Sequence, residues 1–245
     1  MLEKLKVKIV LPVHNEEVEL EENTLKLRNY ISDNLKDYDC QIQIADNASG
    51  DGTLVIAKRL GDQFTNLSFV RLEQKGRGRA IKKTWGANDA DIFIYMDIDL
   101  STDLSHLPNL IKALQNGFDI AIGSRLMAKS KVAGRTIKRE IISRVYNFLI
   151  KMIFLTKFSD AQCGFKGITA KAADNLLPKI KDNDWFFDTE LLVIGEKSGY
   201  KIYEEPVIWT DNPGSTVRVL KTITGDFKGL WRLFITKPWK GAGNA

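Results

Sequence analysis

Strand-like and helix-like segments alternate through the first half of this 245-residue chain, and that alternation restricts the fold more than any other feature. Short apolar runs at 7–12, 41–45, 67–72, 92–96 and 120–122 have the length and composition of buried strands. Between them, 16–34, 51–60, 78–85 and 107–115 carry apolar residues at helical spacing. This order predicts an α/β fold with a mostly parallel central sheet and helices on both faces. In such sheets ligands collect beyond the carboxyl ends of the strands. Three polar clusters fall at those ends: Pro12-Val-His-Asn-Glu-Glu17, Asp46-Asn-Ala-Ser-Gly-Asp-Gly-Thr53 and Asp97-Ile-Asp-Leu-Ser-Thr-Asp103. One site assembled from three strand ends is the simplest arrangement that accounts for all of them.

Asp97 and Asp99 are the sharpest signal within these clusters. They stand two residues apart at the end of the apolar run Ile92-Phe-Ile-Tyr-Met96. Continued strand geometry would send both carboxylates to the same side. Two close carboxylates repel unless something positive sits between them. A hard divalent cation, Mg²⁺ or Mn²⁺, suits oxygen ligands and commonly shares its coordination with substrate phosphates. The pair is therefore read as a metal and diphosphate site. A solvated acidic turn is the plain alternative.

The other motifs carry less. Asp46, at a strand tip, can accept a hydrogen bond from a base N–H or a ribose hydroxyl. Ser49 or Asp51 can cap the following helix. The stretch Arg71-Leu-Glu-Gln-Lys-Gly-Arg-Gly-Arg-Ala80 joins a strand to a helix through two glycines and several cations. Helix N-termini favour anions, so Lys75 and its neighbours suit a diphosphate-sensing loop. The stretch has neither Walker nor dinucleotide-fingerprint spacing. Asp188 and Glu190 stand at the head of a helix, where acids favour the dipole and where Asp188 could serve as a base or hold sugar hydroxyls. Cys163 has no evident histidine partner, since the chain holds only His14 and His106, read as a site-rim residue and a surface helix residue.

Charge and composition narrow the partners. The chain carries 36 Lys and Arg against 31 Asp and Glu, a net charge of +5. That suits an anionic partner without specifying which. Cys40 and Cys163 form no disulfide framework, which predicts reduced thiols in a cytosolic compartment. The first eight residues are too charged for a signal peptide. No apolar stretch is long enough to cross a bilayer.

The second half changes character. Residues 139–158 and 217–239 mix Lys and Arg with Ile, Leu, Phe and Trp in helical patterns. Such helices can lie in a membrane interface, apolar side down and basic residues on headgroups. Core helices with snorkelling lysines would look the same. The expected organisation is a catalytic domain over 1–215, including an amphipathic basic helix at about 138–158, and a membrane-apposed basic aromatic segment over 216–245.

Pro12-Val-His-Asn-Glu-Glu17, Asp46 to Thr53, Lys75-Gly-Arg-Gly78, Met96-Asp-Ile-Asp-Leu100, Ile122-Gly-Ser-Arg125, Asp160-Ala-Gln-Cys-Gly-Phe-Lys166 and Phe187-Asp-Thr-Glu-Leu191 occur in that order. Together they resemble the family 2 glycosyltransferases of GT-A fold, in the dolichyl-phosphate or polyprenyl-phosphate glucosyl- and mannosyltransferase branch. The resemblance implies inverting, metal-dependent transfer of a hexose from a nucleotide diphosphate sugar, UDP-glucose or GDP-mannose, to a polyprenyl phosphate. It implies that Pro12, His14 and Glu16 line the nucleotide pocket with Asp46 on the base and Lys75 nearby, and that Asp97 and Asp99 bracket metal and diphosphate. It further implies that Arg125, Arg139 and Lys166 meet the acceptor phosphate. Two positions depart from the pattern. Asn47 stands where many members have a second Asp, and Ser101 where mannosyltransferase relatives often carry Gln as a further metal contact. The expected partners are a nucleotide sugar, a polyprenyl or dolichyl phosphate and the cytosolic face of a membrane, with no nucleic acid. The rivals are a soluble glycosyltransferase acting on polysaccharide or protein, and a non-enzymatic lipid- or nucleic-acid-binding module.

Overall fold

The computed structural model describes residues 3–211 and 219–240, with side chains from 224 onward in the second stretch. Its centre is a seven-stranded sheet in the order β3-β2-β1-β4-β7-β5-β8. The strands are β1 (Lys6–Val13), β2 (Asp39–Asn47), β3 (Leu67–Leu72), β4 (Ile92–Met96), β5 (Ile120–Ser124), β7 (Phe165–Thr169) and β8 (Ile202–Pro206). All neighbours pair in parallel except β7, which runs antiparallel to both β4 and β5. A separate parallel pair joins β6 (Lys131–Ala133) to β9 (Ile208–Thr210). The helices are α1 (Leu20–Asn34), α2 (Thr53–Gln63), α3 (Arg77–Trp85), α4 (Leu107–Gln115), α5 (Ile137–Phe154), α6 (Ala170–Leu176), α7 (Phe187–Lys197) and α8 (Val219–Thr236).

The strand side chains divide by parity into two cores. Val7, Ile9 and Leu11 of β1 and Ile92, Ile94 and Met96 of β4 pack with α1, α2 and α4. Val10, Phe93 and Tyr95 face the opposite layer with α3, α5, α6, α7 and α8. Every residue of β4 is buried, as an apolar run flanked by strands on both sides requires. Each large side chain in these cores contributes roughly 1.5–3 kcal/mol by leaving water.

The five strands expected in the first half are present. The antiparallel β7 and the strands β8 and β9 go beyond that reading. The 160–166 stretch passes directly into β7. β8 escapes notice because Glu204 and Glu205 break its apolar pattern. Both acids are satisfied by distant groups: Glu204 accepts from the Ser159 backbone at 2.8 Å, and Glu205 accepts from His106, Asn109 and Tyr203. His106 is therefore no surface residue. Its Nδ1 lies 2.8 Å from Glu205 and its Nε2 accepts from the Ile208 backbone, fixing the start of β9.

Candidate active site

Three loops meet at the carboxyl ends of β1, β2 and β4, and each contains a non-glycine residue in the left-handed region: Asn15 (φ 58°), Ala48 (φ 57°) and Leu100 (φ 49°). Each such backbone costs on the order of 1 kcal/mol and persists only where the surroundings hold it. Here the first two loops hold each other. The Asn15 backbone donates to Ser49 Oγ and its side-chain oxygen accepts from Gly50. The Glu16 backbone donates to Thr53 Oγ1 at 2.8 Å, and Glu17 accepts from Gly52 at 2.7 Å. Asp51 caps α2 through the Thr53 amide at 3.0 Å.

His14 and Pro12 are half-buried on this rim, and His14 Nδ1 contacts the Asn47 carbonyl at 2.9 Å. Asp46 is wholly buried and already engaged, accepting from the Ser49 amide at 3.1 Å and from the Arg71 guanidinium. The Asn47 side chain accepts from the Gly76 amide at 2.7 Å, tying this loop to the start of α3.

The start of α3 corrects one expectation. Its first amides are not open to an anion: Gly78 donates to the Asp184 carbonyl at 3.2 Å and Arg79 to that of Asn183 at 2.9 Å. The glycines are there for close packing, since a Cβ on Gly78 would come 2.6 Å from Phe187. Lys75 is left exposed at the rim.

Asp97 follows β4 directly, and Asp99 lies in the turn beyond, so turn geometry rather than continued strand alternation positions the pair. The Asp97 amide donates to the Gly164 carbonyl at 3.1 Å. Its side chain remains 40% exposed. Gly164 is a spatial requirement: a Cβ there would overlap Asp97 Oδ2 and come within 2.5 Å of its Cγ. Below Asp97 is a cavity of about 10 Å³ lined by Met96, Ser101, Thr102, Gly164 and Trp209. Ser101 Oγ is buried without a partner among the described residues, while the Ser101 amide donates to Asp99 Oδ1 at 3.0 Å.

Crowded negative charge, only partly compensated by Arg77, is the electrostatic signature of this corner. Desolvation raises the Asp97 pKa; Arg77 opposes the rise and Asp99 adds to it. Burial raises the Glu16 carboxyl to about 7, with Glu19, Asp99, Asp51 and Asp97 adding repulsion. Acids that repel one another beside an open carboxylate suit a divalent cation. Among the described residues no three His, Cys, Asp or Glu side chains are gathered as a complete metal cage. Two carboxylates supplemented by substrate phosphates match the way Mg²⁺ is usually held. The donor set therefore fits the expected cation.

The network behind Asp97 was not legible residue by residue. Arg77 Nη1 lies 2.6 Å from Asp97 Oδ1, with Nε 3.9 Å from Asp188. Its guanidinium stands 5.2 Å from the Tyr95 ring centre and 4.9 Å from that of Trp185. Asp188, buried at the start of α7, accepts from the Tyr95 hydroxyl and pairs with Lys166 at 3.0 Å. Lys166 also donates to the Cys163 carbonyl at 2.5 Å and is fully buried. This corrects the assignment of Lys166 to the acceptor phosphate: its ammonium compensates Asp188 inside the core. Cys163 is equally buried, and desolvation pushes its thiol up to about 11, which makes it a poor nucleophile.

Arg125 and Arg139 lie on a second flank. Arg125 closes on Asp160 through Nε at 2.8 Å and Nη2 at 3.0 Å, 5.5 Å from the Trp209 ring centre. Burial alone would raise Asp160; Arg125 overcomes it and holds the carboxyl at about 2. Arg139, in the first turn of α5, grips both oxygens of Asp211 at 3.0 and 2.8 Å. Arg135, unnoticed in the sequence, joins this flank. It pairs with Glu140 at 2.7 Å, and its pKa is lowered by desolvation and then by repulsion from Arg125. Ser143, one helical turn beyond Arg139, has a buried hydroxyl with no partner among the described residues.

Comparison with known proteins agrees with this geometry. The glycosyl transferase family 2 profile matches residues 8–177. The chain belongs to that family. It is 33% identical to glycosyltransferase AglD of Haloferax volcanii over 224 residues, 90% of this chain and 36% of that protein. It is 26% identical to a dolichyl-phosphate beta-glucosyltransferase of Dictyostelium discoideum, covering 87% of this chain and 69% of the relative. With a dolichol-phosphate mannosyltransferase of Pyrococcus furiosus it shares 31% identity over 68% of this chain and 46% of that one. The chain thus spans from about a third to about two thirds of these relatives' lengths. Among solved structures, glucosyl-3-phosphoglycerate synthase from Mycobacterium tuberculosis, in complex with Mn²⁺ and UDP-glucose, superposes with a TM-score of 0.67 at 16% identity. That superposition covers 94% of this chain and 79% of the synthase. The fold is GT-A-like.

Proposed function

We propose that this family 2 glycosyltransferase moves a hexose from a nucleotide diphosphate sugar to a polyprenyl phosphate at a membrane surface, with inversion. The observation that carries the reading is Asp97: an open carboxylate at the end of a fully buried strand, framed by Gly164 and crowded by Asp99 and Glu16. Asp97 and Asp99 would hold Mg²⁺ or Mn²⁺, which would supply positive charge where the leaving diphosphate develops negative charge. The half-buried Pro12, His14 and Glu16 form the adjoining rim for the nucleotide, with Lys75 exposed beside it and Asp46 enclosed behind it by Ser49 and Arg71, so that Asp46 would reach the base only if Arg71 gave way.

A phosphate monoester has a second pKa of about 6, so the acceptor oxygen is already largely anionic near neutrality. No strong general base is needed. That agrees with Asp188, whose carboxylate is enclosed by Tyr95, Lys166 and Arg77 and serves to position them. Arg125 can meet the acceptor phosphate through Nη1 while its Nε and Nη2 stay on Asp160, and the more exposed Arg139 can do so by exchanging Asp211 for phosphate oxygens, a recognition guanidinium suits. The free Ser143 hydroxyl, on the same helix face as Arg139, adds a donor.

The lipid tail finds its counterpart in two exposed stripes. On α5, Ile137, Ile141, Val145, Phe148 and Met152 face solvent at helical spacing; on α8, Phe227, Trp231, Phe234 and Ile235 do so. No helix among the described residues is long and apolar enough to cross a membrane. These helices suit interfacial docking on the cytosolic face instead. Of the expected C-terminal segment at 216–245, residues 216–218 and 241–245 lie outside the described residues. The relatives named for dolichyl phosphate support a lipid acceptor, whereas the synthase solved with phosphoglyceric acid shows a GT-A fold bound to a soluble phosphorylated molecule.

One experiment separates these readings. UDP-glucose and GDP-mannose are each offered with a short polyprenyl phosphate or with water-soluble acceptors, with and without EDTA, and products are read by mass spectrometry. A glycosylated polyprenyl phosphate that vanishes with EDTA supports the proposal. Product only on soluble acceptors, or turnover indifferent to EDTA, overturns it.

A further inference from the structure

The contact between Arg77 and Asp97 places a cation of the protein on the very oxygen pair a metal would use. Arg77 Nη1 is 2.6 Å from Asp97 Oδ1, and the other carboxylate oxygen lies against the Gly164 Cα. Arg77 is at the same time poorly satisfied elsewhere. Its Nε is buried and makes no hydrogen bond among the described residues, 3.9 Å from Asp188. The aromatic rings of Tyr95 and Trp185 fix the guanidinium plane without using its N–H groups. Trp185 is 43% exposed, so one wall of this sandwich is at the surface. Asp97 is open while the Arg77 side chain is 12% exposed, so an incoming ion reaches the carboxylate before it reaches the arginine.

From these observations we infer that Arg77 is a resident counter-ion that occupies Asp97 in the empty enzyme and must give it up when a divalent cation binds, so that metal and Arg77 exclude each other there. Released from Asp97, the guanidinium keeps Asp188 as a neighbour and has free N–H groups for another anion; the donor's diphosphate is the anion that arrives with the metal. Metal binding and diphosphate binding are then coupled through one side chain. The inference rests on Asp97 being a cation ligand.

The test uses the full chain and Mn²⁺, with free ion followed by its electron paramagnetic resonance signal, with and without UDP-glucose or GDP-mannose. Arg77→Met removes the competing charge while keeping an aliphatic stem between the rings. It is expected to bind Mn²⁺ alone on the order of tenfold tighter than the native protein. The further gain produced by sugar nucleotide is expected to shrink as well, since the variant has no guanidinium to release toward the diphosphate, and linkage makes the metal's own effect on nucleotide affinity shrink equally. Folding is checked by near-UV circular dichroism. If the Met variant does not fold, Arg77→Lys replaces it: a shorter point charge that cannot sit between the rings and reach Asp97 together, expected to tighten Mn²⁺ binding about threefold. A folded variant that binds Mn²⁺ alone no tighter than the native protein overturns the inference. Native protein that takes up no Mn²⁺ even with either sugar nucleotide overturns instead the underlying reading of Asp97, a distinguishable result.

Discussion

Replacing Gly164 by alanine tests the whole construction with one methyl group. The added Cβ would overlap Asp97 Oδ2 and lie 2.5 Å from Cγ and 2.9 Å from Oδ1. Nothing there is a flexible tip that can swing aside cheaply. Asp97 is a short side chain whose own backbone is bonded to the Gly164 carbonyl. The carboxylate must therefore rotate away, losing both its opening toward the cleft and the 2.6 Å contact with Arg77. Overpacking of this kind costs about 1–3 kcal/mol of stability, a loss a domain of this size can survive. The functional cost is larger. Displacing a charge-stabilising group by about 1 Å is worth on the order of 100-fold in rate, and losing one costs about 100- to 1,000-fold. Gly164→Ala is thus expected to remain folded, with kcat/KM on the preferred donor and acceptor down at least 100-fold and Mn²⁺ affinity reduced. The assay pairs steady-state turnover with a thermal melt. A folded variant retaining a third or more of native kcat/KM would refute the placement of Asp97 at the reacting centre.

Other perturbations probe separate parts. Asp160→Asn removes one member of the buried pair with Arg125 and is expected to cost about 3–5 kcal/mol in a denaturant titration. Because the folded carboxyl sits at about 2, below its ordinary 3.8, that stabilisation is present above pH 4 and fades as pH falls toward 2; an Asn variant whose stability matches native protein at pH 6 would contradict it. Glu16 has the opposite sign, raised to about 7 from 4.5, so its favourable share is full below pH 4.5 and lost as pH rises through 7. Glu16→Gln is expected to gain on the order of 1 kcal/mol over native protein at pH 8, after allowance for solvent screening, and a melt series from pH 5 to 8 checks it. Phe148→Glu with Trp231→Glu should lower sedimentation with anionic vesicles at least tenfold without lowering the melting temperature, since both rings are exposed.

What could be seen in the chain beforehand follows a physical division. The strands β1 to β5 and the clusters at their ends were legible because they rest on local patterns: apolar runs, turn glycines and polar residues at strand tips. The amphipathic α5 was legible for the same reason. Contacts made across long sequence separations were not. Lys166 looks like a phosphate ligand until Asp188 and Tyr95 are brought to it, and Arg77 looks like one more loop cation until Asp97 closes on it. β8 reads as a polar stretch because its glutamates are satisfied by Ser159 and His106, partners far along the chain. The closed amides at the start of α3 likewise depend on carbonyls of residues 183 and 184.

The antiparallel strand β7 bears a consequence for how the sheet finds its alignment. Its register sets Lys166 opposite Tyr95 on one neighbour and opposite Ile122 on the other. Strand faces alternate with every residue, so a slip by a single position would turn the lysine into the opposite apolar layer and strand Asp188 without its counter-charge. An orphaned buried charge costs several kcal/mol, more than a generic hydrophobic mismatch of one residue. The same ammonium that looked like a ligand for substrate thus acts as a proofreader, rejecting the single-residue offsets that would draw Gly164 away from Asp97.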